Sequence, residues 1–147
     1  MTNITPQFQL DQNFDYRFLR NKREQVSITI QDTDAATAAN YGVFFIALAP
    51  GYLEEVWESH KTAGSDAGAV TVTIEKLATG VALDSGTAML TAALSLKSTA
   101  NTPQQGTVSQ VASTRQFVRG DRLALKDAGA LTAVAHVTVS LFIRYRN

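Results

Sequence analysis

From Val26 the chain alternates apolar and polar residues, with Val26, Ile28 and Ile30 set against Ser27, Thr29 and Gln31. A period of two sends successive side chains to opposite faces, so the spacing predicts a half-buried strand. Two later segments repeat the pattern. Val70, Val72 and Ile74 alternate with Thr71, Thr73 and Glu75; Val137, Val139, Leu141, Ile143 and Tyr145 alternate with Thr138, Ser140, Phe142 and Arg144. Gly42 to Ala49, GVFFIALA, is apolar throughout and stops at Pro50-Gly51. A run of that length predicts a central strand covered on both faces. LEEVWESHK is read as an edge strand carrying Glu54, Val56 and Glu58 on one face, although Leu53, Val56, Trp57 and His60 would also share a helical face.

The segments between are rich in turn chemistry. Asp32 to Ala36 reads as a turn, and TAGSDAGA, ATGVALDSG and TANTPQQG read as loops. TAMLTAALSLKS has strand character at Leu94 and Leu96, with room for a short coil between Ala88 and Leu96. About eight short strands without a recurring helix predict an all-β fold, an antiparallel β-sandwich or jelly roll. A parallel α/β sheet would need helices between its strands. Residues 1–25 are read as an extended N-terminal arm and 26–147 as the β-sandwich domain. Phe8, Phe14, Tyr16 and Phe18 punctuate the arm, with Arg17, Arg20, Lys22 and Arg23 among and after them. A tail meant only for solvent carries few aromatics. The arm is therefore expected to lie on a surface, its own or a neighbour's; a first strand with its loop is the alternative.

QFVRGDRLALKDAG contains the tripeptide Arg119-Gly120-Asp121, known as an integrin-docking signal. Here it falls between two apolar runs of strand type. Glycine accepts positive φ and aspartate bonds its own turn backbone, so the pair reads as a hairpin corner. Arg122-Leu123-Ala124-Leu125 begins at once and leaves little chain to protrude.

Composition narrows the chemistry. The 147 residues suit one domain, and 13 basic against 13 acidic residues give nothing to attract nucleic acid or an anionic membrane. The balance is uneven along the chain: between Asp32 and Asp84 eight acids face only Lys61 and Lys76, whereas from Ser85 onward Asp121 and Asp127 face seven basic residues. Either the halves interleave and cancel, or one copy offers an acidic patch to the basic patch of another. Without cysteine there are no disulfides, thiolate ligands or cysteine nucleophiles, which fits synthesis in a reducing cytoplasm. No segment has an apolar signal core or the length of a membrane span, and a soluble chain is expected. Only His60 and His136 could serve as imidazole bases. Ser59 neighbours His60 but would point the other way along a strand, and His136 leads into an apolar strand as a hydrogen-bonded structural residue. Glu54, Glu55 and Glu58 form the densest acid cluster, expected to be a solvated edge facing a basic neighbour. A hydrolase using two of these with Asp66 would need a set carboxylate separation that spacing does not supply. No catalytic, cofactor or metal site is expected.

One stretch, from about His60 to Val139, resembles small structural proteins of tailed-bacteriophage virions, of the head-decoration and head-fibre type. HKTAGSDAGAVTVTIEKLATGVALDSGTAML, LSLKSTANT and VRGDRLALKDAGALTAVAHVTVSL carry the likeness, through a glycine-rich loop, a Leu-Lys-Ser-Thr-Ala-Asn segment and a Gly-Asp-Arg-Leu turn in that order. The resemblance implies a non-enzymatic, all-β virion component on the capsid exterior, made in the bacterial cytoplasm, that cements the shell. Its partners would be the major capsid protein and copies of itself, as a trimer at threefold positions or a dimer at twofold ones, with no small-molecule substrate. The arm lies outside the likeness. The subunit-contact residues expected are Phe8, Phe14, Tyr16, Arg17, Phe18 and Arg20 of the arm with Glu54, Glu55 and Glu58. The alternative is a fibre, tail or neck component with a glycan- or host-binding face, for which Trp57, Tyr52 and Tyr41 could stack on sugar rings.

Overall fold

Val137–Tyr145 forms the strand that organises the first sheet, and its burial alternates without a break, apolar residues inward and Thr138, Ser140, Phe142 and Arg144 outward. The computed structural model describes residues 22–30 and 42–146. In chain order the strands are β1 (Arg23–Ile30), β2 (Gly42–Ile46), β3 (Gly51–Ser59), β4 (Thr71–Leu77), β5 (Thr87–Ala88), β6 (Leu94–Ser95), β7 (Gln104–Gly106), β8 (Gln116–Phe117), β9 (Arg122–Ala128) and β10 (Val137–Tyr145). One helical turn, Ala112–Arg115, precedes β8. Its carbonyl end is held by Lys76, whose ammonium donates to Ser113 O at 2.6 Å and Gln116 O at 2.7 Å.

The strands make two antiparallel five-stranded sheets. One runs β1-β10-β3-β7 with β8 also on β3; the other runs β2-β9-β4-β5 with β6 also on β4. Their inner faces share one core. Val139, Leu141 and Ile143 of β10 and Leu53 and Val56 of β3 meet Val72 and Ile74 of β4 and Leu123 and Leu125 of β9. Two sheets packed over a common apolar layer are a β-sandwich. The all-β expectation holds, with ten strands among the described residues, three of them only two residues long. No helix among those residues is long and apolar enough to cross a membrane.

Four local expectations are corrected. GVFFIALA is not a central strand: β2 ends at Ile46, pairs only with β9 among the described residues, and shifts register between Val43 and Phe45. Ile46 and Leu48 stand 57% and 66% exposed while Ala47 and Ala49 are buried. An apolar run reports hydrophobicity on both faces, not a neighbour on both edges. β3 is interior rather than an edge, lying between β10 and the short β7 and β8. His136 is exposed, in a left-handed conformation with φ of 48°, because it is the last residue of the bend before β10 and not part of that strand. The coil allowed between Ala88 and Leu96 is instead the link from β5 to β6, with Met89 and Leu90 buried. The turn expected at Asp32 to Ala36 lies outside the described residues.

The Arg119-Gly120-Asp121 segment is a turn. Gly120 adopts a φ of +90°. Asp121 N donates to Val118 O at 3.1 Å, and Val118 N donates to the Asp121 carboxylate at 2.9 Å. Asp121 is 7% exposed. A carboxylate turned inward on its own turn is not offered to a receptor. The corner also extends the second sheet, since Gly120 N donates to Ala47 O and Ala47 N to Asp121 O, both at 2.8 Å.

Candidate interaction surface

The first sheet turns one face to the core and the other outward. The outward face is built by Arg23, Gln25, Ser27 and Thr29 of β1 opposite Arg144, Phe142, Ser140 and Thr138 of β10, and by β3 on the far side of β10. Down β3 the ladder with β10 is regular until the register shifts between Phe142 and Ile143: Phe142 pairs with Glu55, and Ile143 with Leu53. Glu54 is the extra residue of a β-bulge. Bulges break the alternation of side chains. Glu54 and Glu55 can therefore both face outward although they are adjacent in sequence.

That outward pair is met by arginines. Arg23 Nε lies 2.8 Å from Glu54 Oε2, Arg23 Nη2 2.5 Å from Glu55 Oε1, and Arg144 Nε 2.6 Å from Glu54 Oε1. The Arg23 guanidinium also covers the Phe142 ring at 3.8 Å, a cation–π stack. Burial by itself would raise the Glu54 carboxyl; hydrogen bonds from Arg144 and Arg23, with their charges, outweigh it and hold that carboxyl below the usual carboxylate range. The same bond to Glu54 raises Arg144. At the same end of β1, Tyr145 is pushed up to about 12, first by burial and then by the charge and hydrogen bond of Glu24. Tyr145 N donates to Lys22 O at 3.0 Å, which fixes where the chain enters the sheet.

Glu58 goes the other way. It is 1% exposed, and its Oε1 lies 2.8 Å from His60 Nδ1 while Oε2 accepts from Gln104 Nε2 at 2.5 Å. His60 is equally buried, and its Nε2 donates to Ser98 O at 3.1 Å. A carbonyl only accepts, so Nε2 is the donor in that bond. Gln104 reaches on to Ser95 O at 2.6 Å, and Asn101 N donates to His60 O at 2.7 Å. The network ties the 95–104 loop to β3. Both ring nitrogens of His60 are engaged, and Ser59 is on the opposite side of the strand, so no nucleophile–base pair forms there. Among the described residues no three His, Asp or Glu side chains are grouped as a metal site.

The three acids read from the sequence as one cluster are thus divided: Glu54 and Glu55 lie on the outer face in ion pairs, and Glu58 is inside. Phe8, Phe14, Tyr16, Arg17, Phe18 and Arg20 lie outside the described residues, as does Tyr41. The acid-rich and base-rich halves of the chain meet within one molecule, at Arg144–Glu54 and at Lys126–Asp84, 2.6 Å apart. Sequence reasoning missed Arg23, Arg144 and Phe142 as parts of the surface. The signal was present for the last two, which share the polar face of β10; their partners on β3 depend on the bulge, which has no local signature.

The sequence matches no family model and no curated protein. Solved structures do correspond. A chain of the capsid of Ralstonia phage GP4 matches with a TM-score of 0.59 at 14% identity, over 87% of each chain. A chain of the cyanophage Pam1 capsid asymmetric unit matches with a TM-score of 0.42 at 16% identity over 84% of each, and one from Bacillus endospore appendages with 0.36 at 21% identity over 85% of this chain and 87% of that one. The first correspondence is one of fold.

Proposed function

We propose that this chain is a non-enzymatic structural subunit of a tailed-phage virion, lying outside the capsid and cementing it through contacts with the major capsid protein and with further copies of itself. The observation that carries this reading is the correspondence in fold with the Ralstonia phage GP4 capsid chain along nearly all of both molecules. It agrees with the likeness of His60 to Val139 to head-decoration and head-fibre proteins.

The surface suits adhesion of that kind. Arg23, Arg144, Glu54 and Glu55 of the outer face are paired within the molecule, so apolar contact is to supply much of the attraction between subunits. Ile46, Leu48 and Val118, each more than half exposed, lie near one end of the second sheet beside the Gly120 turn. Phe8, Phe14, Tyr16 and Phe18 precede Lys22, the point of entry into the first sheet, with Arg17 and Arg20 able to pair with acids of a neighbour; Glu54 and Glu55 lie close to that entry and serve as contacts at the rim. Weak contacts suffice where many copies bind one shell, because linked attachment raises the effective concentration. A trimer at threefold positions is the expected arrangement.

Purified virions carrying the chain, imaged by electron cryo-microscopy, test this directly. Sandwich-shaped density on the outer shell is the expected result. Density only in the tail or neck replaces the reading with a fibre component, and absence of the chain from virions ends both.

A further inference from the structure

Beside the loop that carries Pro103, the outer face of the first sheet holds a shallow depression of about 170 Å³ lined by Trp57, Ser59, Thr138, Ser140, Pro103 and Glu58. Trp57 is the chain's single tryptophan. It is 38% exposed, on a strand whose neighbouring Val56 and Glu58 are buried. Exposed, it is nevertheless held. Its indole N–H donates to Glu55 Oε2 at 3.2 Å, the other Glu55 oxygen takes Arg23, and Arg23 is stacked on Phe142. Three contacts in series fix a large aromatic ring in solvent, which neither core packing nor solubility requires.

Around the ring the groups are hydroxyls. Ser140 Oγ lies 2.8 Å from Ser27 Oγ, and Thr138 Oγ1 lies 3.0 Å from Thr29 Oγ1. In each pair one hydroxyl donates to the other, so the acceptor keeps its own proton to give and lone pairs remain on both. Gln105 stands across the ladder from Trp57. The face thus offers an aromatic plane next to neutral groups that donate and accept alike. An anion would meet the carboxylate of Glu55, which holds the indole N–H, and an apolar peptide face would strip water from the hydroxyls without replacing it. A sugar has what both lack, a C–H face for the indole and hydroxyls that donate and accept. Drug-sized pockets run to about 300–1,000 Å³; this smaller one takes one ring, with further residues of an oligosaccharide along the hydroxyl rows.

We propose that this face binds neutral carbohydrate, with one sugar ring stacked on Trp57 and its hydroxyls bonded to Ser140 and Thr138. The inference rests on the face alone and holds whether the chain is mounted on a head or a fibre. Because Trp57 is the only tryptophan, its emission reports on the site without a label. Full-length protein is titrated with neutral saccharides built of glucose, galactose, mannose and N-acetylglucosamine, from single sugars to short oligomers. At least one is expected to change the emission saturably. Binding followed by saturation-transfer NMR should weaken about tenfold in Trp57→Phe, the scale of one aromatic contact, and be lost in Trp57→Ala and in the double variant Thr138→Ala/Ser140→Ala, each still showing the folded baseline and a cooperative urea transition. No saturable change with any of these sugars overturns the proposal, as does binding that survives Trp57→Ala. A shift in emission that follows protein concentration and ignores sugar also overturns it, and marks the face as a contact between copies.

Discussion

Gly129 and Gly42 hold nearly the same left-handed backbone, with φ of +85° and +87°, and differ in what surrounds them. A Cβ on Gly42 would meet none of the described residues within 4 Å; on Gly129 it would lie 1.9 Å from the carbonyl oxygen of Ala69. The left-handed conformation costs an L-residue about 1–2 kcal/mol. Gly42→Ala should lose that much stability in urea unfolding, whereas Gly129→Ala adds a backbone collision and should exceed about 3 kcal/mol. Equal losses would show that the Ala69 carbonyl gives way. The turn chemistry of Asp127-Ala128-Gly129 is local and was legible in the sequence. The close approach of Ala69 was not, because it depends on how β4 lies against β9. Asp121 shows the favourable case: the residue types of a hairpin corner sufficed to place its carboxylate on its own turn.

β3 shows how one irregularity in an element reassigns chemistry. Strict alternation would put Glu54, Val56 and Glu58 together; the bulge sends Glu54 outward with Glu55 and keeps Val56 and Glu58 inside. The consequence is a pH dependence of known sign. Glu54 is held below its ordinary value of 4.5 in the folded chain, so on acidification the unfolded chain takes up the proton first. The stabilisation it supplies is complete above about pH 4.5 and is lost as pH falls through the lowered folded value. Urea unfolding of the parent and of Glu54→Gln should therefore differ most near pH 6 and converge toward pH 3. A gap that stays constant over that range would mean the arginine contacts add nothing to the fold. Salt should narrow the gap at pH 6, since Arg23 is 40% exposed.

At the scale of the whole molecule, the described sandwich closes a continuous core that draws on both sheets. Removing residues 1–21, which leaves Lys22 to accept from Tyr145, is expected to change the free energy of unfolding by less than about 1 kcal/mol while reducing association between copies. Urea unfolding and light scattering on the same samples separate the two effects. A large loss of stability would mean that this segment packs on its own domain, and unchanged association would remove it from the proposed contacts. The sandwich itself also decides which apolar residues are left outward, because β2 ends the second sheet among the described residues, with Ile46 beyond the reach of the core.

The alternation of β1, β4 and β10 determined their faces without help from the rest of the chain, since side chains on a strand have no third direction to take. Turn residues likewise punctuated them, and together these determined an all-β sandwich. Tertiary structure alone decided which strands became neighbours, and with that everything set across strands: β2 beside β9, β3 inside, Glu58 against His60, Glu54 against Arg23 and Arg144, Trp57 beside Ser140. The physical reason is range. Alternation and turn chemistry act between residues a few positions apart, whereas pairing in an antiparallel sandwich joins residues far apart in the chain through contacts that no local pattern encodes.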